Sequence, residues 1–230
     1  MKCLKLQVEL LSAATFGRGD GVAGLVDREV EHDADGLPYL RGRTLKGLLA
    51  EECANILFAL KLQDANKHKQ WRKVAIELFG DAGSILEDVG LLRVGDARLP
   101  EALRQAIRIS LEDSSIRLTP TEVLESLTAI RRQSAMNVYG APKHKSLRSM
   151  RVILRDITFE ANLEIKERVG VKNSSLQEDS VALLAACVLA WRRAGTGRNR
   201  GRGRLRACLH DQEGNDITET CFNAFREGVS

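Results

Sequence analysis

The residues best suited to chemistry sit close together, in Asp27-Arg28-Glu29-Val30-Glu31-His32-Asp33. Alternate residues of an extended chain face one side, so Asp27, Glu29, Glu31 and Asp33 would present a row of carboxylates. A carboxylate there can hold Mg²⁺ through water, or align a ribose 2′-hydroxyl for in-line attack. His32 is a candidate general base at neutral pH. The plain alternative for each is a solvated loop side chain. Thiolate or imidazole metal chemistry has less support. Cys3, Cys53, Cys187, Cys208 and Cys221 are scattered without a C-x-x-C pair, and the histidines show no ligand spacing. A dispersed, odd set of cysteines fits reduced thiols and a cytoplasmic setting.

The second kind of chemistry is anion binding. The net charge of +4 says little, but its distribution is uneven. Arg131 to Arg155 carries seven Lys/Arg and no acid, and Arg192 to Arg206 carries seven Arg and no acid. One such run is ordinary for a solvated face. Two, both rich in glycine or turn residues, point to nucleic acid. Aromatic residues make up only 4% of the chain, so affinity must come mainly from phosphate contacts rather than base stacking. A further anion site is expected at Gly36-Leu37-Pro38-Tyr39-Leu40-Arg41-Gly42-Arg43-Thr44-Leu45-Lys46-Gly47. A turn and a short extended piece, kept out of the helical region by Pro38, lead into a helix start ringed by Arg41, Arg43 and Lys46. Free N–H groups and the positive dipole end attract anions there.

The elements that must position these residues follow from periodicity. Residues 3–11 alternate as a strand, with Leu4, Leu6, Val8 and Leu10 on one face. A long loop, Ser12 to Asp35, follows. A helix is expected over Thr44–Leu62, with Leu45, Leu48, Leu49, Ile56, Leu57 and Leu60 as its apolar stripe. Gln63–Lys73 is polar and Lys-rich, and Gly80 is a helix stop. Gly90–Ala97 reads as a strand, and 100–128 as mostly helical with a break at Thr119-Pro120 and Thr121 as N-cap. Asn137–Lys145 has turn chemistry and reads as a protruding hairpin or loop. Met150–Ile165 reads as one strand, and Ser180–Arg193 as a buried helix. The Gly195–Arg204 run joins that helix to a last strand, so an ordered loop with phosphate-reaching backbone is expected.

The order β–α–β–(insert)–β–α–β is the split βαβ arrangement, so an α+β, ferredoxin-like (RRM-like) core is expected. The chain reads as one domain over residues 1–230, with a helical insertion at 100–128 and a hairpin at about 132–149. It is long enough to bury roughly 70–75% of the surface its unfolded chain exposes. No apolar run approaches the ~20 residues of a membrane span. The N-terminal alternation is unlike a signal peptide, so no membrane partner is expected.

The Gly36–Gly47 stretch resembles the "G-L-P-Y-I-P-G-S-S-L-K-G" signature of the CRISPR-associated RAMP proteins. Leu78-Phe79-Gly80 matches that family's "L-F-G", Gly90–Asp96 looks like its following strand, and Gly195–Arg204 resembles its C-terminal glycine-rich loop. The resemblance spans nearly the whole chain in order, and is greatest to the backbone subunit of type III effector complexes. Arg41 stands where the family usually has proline, and Ile130-Arg131-Arg132-Gln133 lacks the acid often found before the arginine.

The resemblance implies a subunit whose copies stack along a guide CRISPR RNA beside other effector subunits. It implies that a basic "thumb", about Arg132–Ser149, interrupts the guide–target duplex at every sixth position. It implies a cut in complementary target RNA that depends on Mg²⁺ or another divalent cation, with Asp27, in register before the Gly36-Leu37-Pro38 turn, as the catalytic and metal-binding acid. The RNA-binding set would be Arg41, Arg43, Lys46, Arg131, Arg132, Lys143, Lys145, Arg148, Arg151, Arg198, Arg200, Arg202 and Arg204. Two other readings stay open: an inert RNA-binding backbone subunit, and a guide-precursor endoribonuclease with His32 as base.

Overall fold

The computed structural model describes residues 1–81, 90–167 and 174–229. In chain order the elements are β1 (Lys2–Leu10), α1 (Gly42–Gln63), α2 (Ala65–Phe79), β2 (Leu92–Val94), α3 (Glu101–Glu112), α4 (Pro120–Leu127), β3 (Thr128–Gln133), β4 (Arg148–Ile153), β5 (Thr158–Ile165), α5 (Ser174–Ala190), β6 (Leu205–His210) and α6 (Thr218–Val229). The fold is mixed α+β with two antiparallel sheets, ordered β2-β5-β1-β6 and β3-β4.

Alternation along β1 sorts its side chains: Leu4, Leu6, Val8 and Leu10 are buried, while Lys5 and Gln7 face solvent. Phe159, Ala161, Leu163 and Ile165 of β5 and Leu205, Ala207 and Leu209 of β6 extend the same apolar face. Helices cover it. Leu45, Leu49, Cys53 and Leu60 of α1 are buried, with Leu48, Ile56 and Leu57 packed beside them as the spacing predicts. In α5, Val181 through Val188 are all buried, because the helix packs against α1, α2, α6 and β6 at once. The five cysteines are free thiols. Among the described residues no helix is long and apolar enough to cross a membrane.

The structure departs from the sequence reading in four places. The Lys-rich 63–73 piece is most of α2: Asp64 caps it by accepting from the N–H groups of Asn66 and Lys67, and Trp71 turns inward against Phe225. The N-cap of α4 is Thr119, not Thr121. Thr119 and Glu122 form a capping box around Pro120, and the proline needs no donor at the first helical position. Met150–Ile165 is two strands rather than one. The chain turns at Asp156 (φ 65°), whose N–H bonds the Leu10 carbonyl, so β4 joins the small sheet and β5 the large one. Finally, α6 follows β6 and seals the core with Phe225.

The loop after α5 is ordered, with a short 3₁₀ turn at Arg198–Arg200 between the left-handed Gly197 and Gly201. Gly203 is more constrained: φ is +65° and a Cβ would stand 1.8 Å from the Ala194 carbonyl oxygen. Gly203→Ala combines a left-handed backbone with a backbone clash, so it should cost about 2 kcal/mol or more. A thermal melt should show a midpoint lower by about 4–8 °C. An unchanged midpoint would mean the loop can be rebuilt without this geometry.

Candidate nucleic-acid interface

Three sequence-distant pieces converge beside β1. Ala14 exchanges backbone hydrogen bonds with Ile153 at the end of β4 (3.1 and 2.7 Å). On the other side, the Thr15 and Ala13 carbonyls accept from the N–H groups of Thr196 (2.9 Å) and Gly203 (3.0 Å). The start of the long loop is thus held between the hairpin root and the glycine–arginine loop. A cleft of about 380 Å³ opens where it meets α1, with Thr15, Arg18, Tyr39, Arg41, Thr196 and Arg198 among its walls.

The acids of the long loop do not share one face. Glu29 is buried (2% exposed) and accepts from Arg151 Nε at 2.8 and 3.1 Å. Glu31 is buried against Tyr39 (3.0 Å) and Arg41 (2.7 Å), and burial with that carboxylate pushes the Tyr39 phenol up. Asp33 closes its own turn by accepting from the N–H groups of Asp35 and Leu37. Only Asp27 of the four stands exposed. Its Oδ2 accepts from the Ser149 N–H (2.6 Å) and Ser149 hydroxyl (3.1 Å), and these bonds hold its carboxyl below the usual carboxylate range. The row fails because this segment pairs irregularly with Gly17, Met150 and Pro38 and follows no single sheet face. His32 Nδ1 lies 3.1 Å from the Asp33 carbonyl oxygen, to which it can only donate.

The cations divide by what they already hold. Arg131, Arg132, Lys143, Lys145 and Arg148 are exposed along the β3–β4 hairpin, as are Arg43, Arg200 and Arg204. Arg41 and Arg198 are partly committed, to Glu31 and to Glu51 (2.8 Å). Arg202 reaches the Gln133 side chain (3.2 Å) and the Met150 sulfur. Arg151 corrects the sequence reading: at 5% exposure, with Nε on Glu29 and NH1 on Thr128, it is an internal cation and not a phosphate contact.

The start of α1 is also changed. Asp96 Oδ1 accepts from the Gly42 N–H at 2.9 Å, and Arg98 grips Oδ2 at 2.8 Å. Burial raises the Asp96 carboxyl, but the Gly42 N–H and Arg98 outweigh it and hold the group ionised. The helix therefore carries its own anion at the expected phosphate position. Lys46 is half-buried and donates to the Leu92 carbonyl (2.9 Å); burial and then Arg93 lower its ammonium.

For Mg²⁺, no three His, Cys, Asp or Glu side chains among the described residues form a metal cage. Asp27 offers one carboxylate with Oδ2 already engaged. That donor set fits Mg²⁺ only where one protein carboxylate is joined by waters and RNA phosphate oxygens.

The sequence reading missed Ser149 and Asp96. Ser149 sits in a basic run with no distinguishing pattern, and Asp96 follows a strand as many loop acids do. Their partners lie far away in sequence, so only the fold pairs them.

No curated protein matches the sequence. Among solved structures, the chain is similar to one from the type III-B Cmr-beta complex bound to cognate target RNA, with TM-score 0.60, 13% identity, and 96% of this chain and 99% of that chain covered. It is likewise similar to a chain of type III-B Cmr-beta in the apo state, with TM-score 0.60, 15% identity, and 90% and 97% covered. The sequence pattern of the RAMP superfamily matches residues 7–206, and the chain belongs to that superfamily.

Proposed function

We propose that this chain is a backbone subunit of a type III CRISPR effector complex. In this reading it works in the cytoplasm, binds guide RNA, stacks with further copies of itself and with other subunits, and cuts complementary target RNA beside its hairpin. We take the sheet order as that of a ferredoxin-like core. The observation that carries the reading is Asp27, an exposed ionised acid bonded to the root of a basic hairpin. Membership of the RAMP superfamily and the fold shared with Cmr-beta chains support it.

In the reaction, the exposed hairpin cations and the loop's Arg200 and Arg204 hold phosphates and position the strand without reading its sequence. Asp27 faces the ribose at the cut and orients or deprotonates its 2′-hydroxyl. The O2′–P bond forms and the P–O5′ bond breaks, and the leaving oxygen takes a proton. Mg²⁺ at Asp27, when bound, would offset charge on the scissile phosphate. Products should carry a 2′,3′-cyclic phosphate and a 5′-hydroxyl, and a target with deoxyribose at the cut should survive. Mass spectrometry of the fragments decides: 3′-hydroxyl and 5′-phosphate ends mean that water attacks and this mechanism is wrong.

The binding side has its own test. Replacing Arg131, Arg132 and Arg200 with Ala should weaken guide binding equally for all sequences. It should also flatten the plot of log affinity against log salt by about 2, at roughly 0.7 for each lost single-strand phosphate contact. An unchanged slope with altered sequence preference would contradict the assignment.

A further inference from the structure

The segment carrying Asp27 is pinned to the hairpin by more than one contact. The Asp27 N–H bonds the Ser149 carbonyl (3.0 Å), the Arg151 N–H bonds the Arg28 carbonyl (2.9 Å), and Arg28 forms a parallel bridge with Met150. The segment therefore runs along the edge of β4 that β3 leaves free. Two side-chain pairs fix its register. Asp27 meets Ser149 at the surface, and two residues further along both strands Glu29 meets Arg151 in the interior. Arg151 extends the tie by donating to the Thr128 hydroxyl (3.2 Å), which donates to the Leu124 carbonyl of α4 (2.6 Å).

We infer that Ser149, backed by the buried Glu29–Arg151 pair, is a positioning residue that sets where Asp27 stands relative to the hairpin. The inference rests on Asp27 being the cutting acid. Its physical basis is register. Sliding the segment by one residue would separate Glu29 from Arg151 and leave two charges buried without partners, so the slipped state is excluded. Within that fixed register the loop could still pivot at its exposed end, and the paired bonds from Ser149 to Oδ2 oppose this. The cut is then placed by distance from the hairpin rather than by RNA sequence. A misplacement of about 1 Å at such a site can cost on the order of 10²-fold in rate.

The test uses the assembled, guide-loaded complex and a complementary target. Ser149→Ala, Ser149→Thr and Asp27→Ala are compared by single-turnover rate, target affinity and mapping of product ends at nucleotide resolution. Ser149→Ala keeps the backbone bond and loses the hydroxyl. It should bind target as wild type does, cut about tenfold more slowly, and spread its cuts onto neighbouring phosphates. Ser149→Thr, which restores the hydroxyl, should restore both rate and cut position. Hydrogen exchange of residues 22–31 should quicken in Ser149→Ala, a readout independent of cutting. If Ser149→Ala cuts at the wild-type rate and position while Asp27→Ala is dead, the positioning role is wrong and the catalytic reading stands. If Asp27→Ala itself cuts normally, both fall.

Discussion

Asp27→Ala should abolish target cleavage in the assembled complex and leave guide and target binding intact. The expected loss is about 10²–10⁴-fold in rate, the range for removing one general acid–base group. Asp27 is exposed and ionised, and its only side-chain partner among the described contacts is Ser149, on the hairpin root. Removing it breaks no buried pair, unlike truncation of Glu29 or Glu31. The fold should therefore survive. Ground-state RNA affinity should not fall, because a carboxylate repels the phosphate backbone; the mutant should bind as well as wild type or slightly better. The measurement is a cleavage time course with Mg²⁺ or EDTA, beside a binding titration. A mutant that cuts at the wild-type rate assigns the chemistry elsewhere and leaves this chain as an inert backbone. A mutant that loses binding as well would make Asp27 a structural residue of the hairpin root.

Much of the architecture is legible in the sequence because it rests on local period. The alternation of Leu4, Leu6, Val8 and Leu10 and the stripe along α1 each name their buried face without reference to the rest of the chain. The misreadings at the candidate site share one cause: long-range pairing decided them. Glu29 and Arg151 look like loop acid and surface cation, yet they find each other across the fold and are buried as a pair. Asp96 takes the start of α1 because β2 ends beside it. The Met150–Ile165 run is continuously strand-like, and only the sheets on either side show that it turns at Asp156. Asp27 illustrates both limits. Its four-acid pattern suggested a shared face, and the fold leaves only this one exposed, at a position that the pattern could not distinguish.

Deleting Val138–Lys145 should leave the core folded and destroy the regular spacing of cuts. The tip of the hairpin is a self-contained turn: Asn137 Oδ1 accepts from the N–H groups of Tyr139 and Ala141, and its own N–H bonds the Ala141 carbonyl. Val138 and Tyr139 are 92% and 89% exposed, so removing them uncovers no core surface. The paired part, from Thr128 opposite Ile153 to Gln133 opposite Arg148, lies outside the deletion and keeps Ser149 and Arg151 in place. A thermal melt should therefore change by no more than a few degrees. Function should change a great deal. In the proposed reading the tip is the part that reaches between the strands of a guide–target duplex, and the deletion removes it together with the cations Lys143 and Lys145. Asp27 remains on its Ser149 bonds, but in that reading the nucleotide to be presented to it should stay stacked. Cleavage of a long complementary target should fall, and the residual products should lose their six-nucleotide ladder. Sequencing the product ends measures both. A ladder with unchanged spacing would show that the interval is set by the stacking distance between subunits, and that this hairpin plays no part in it.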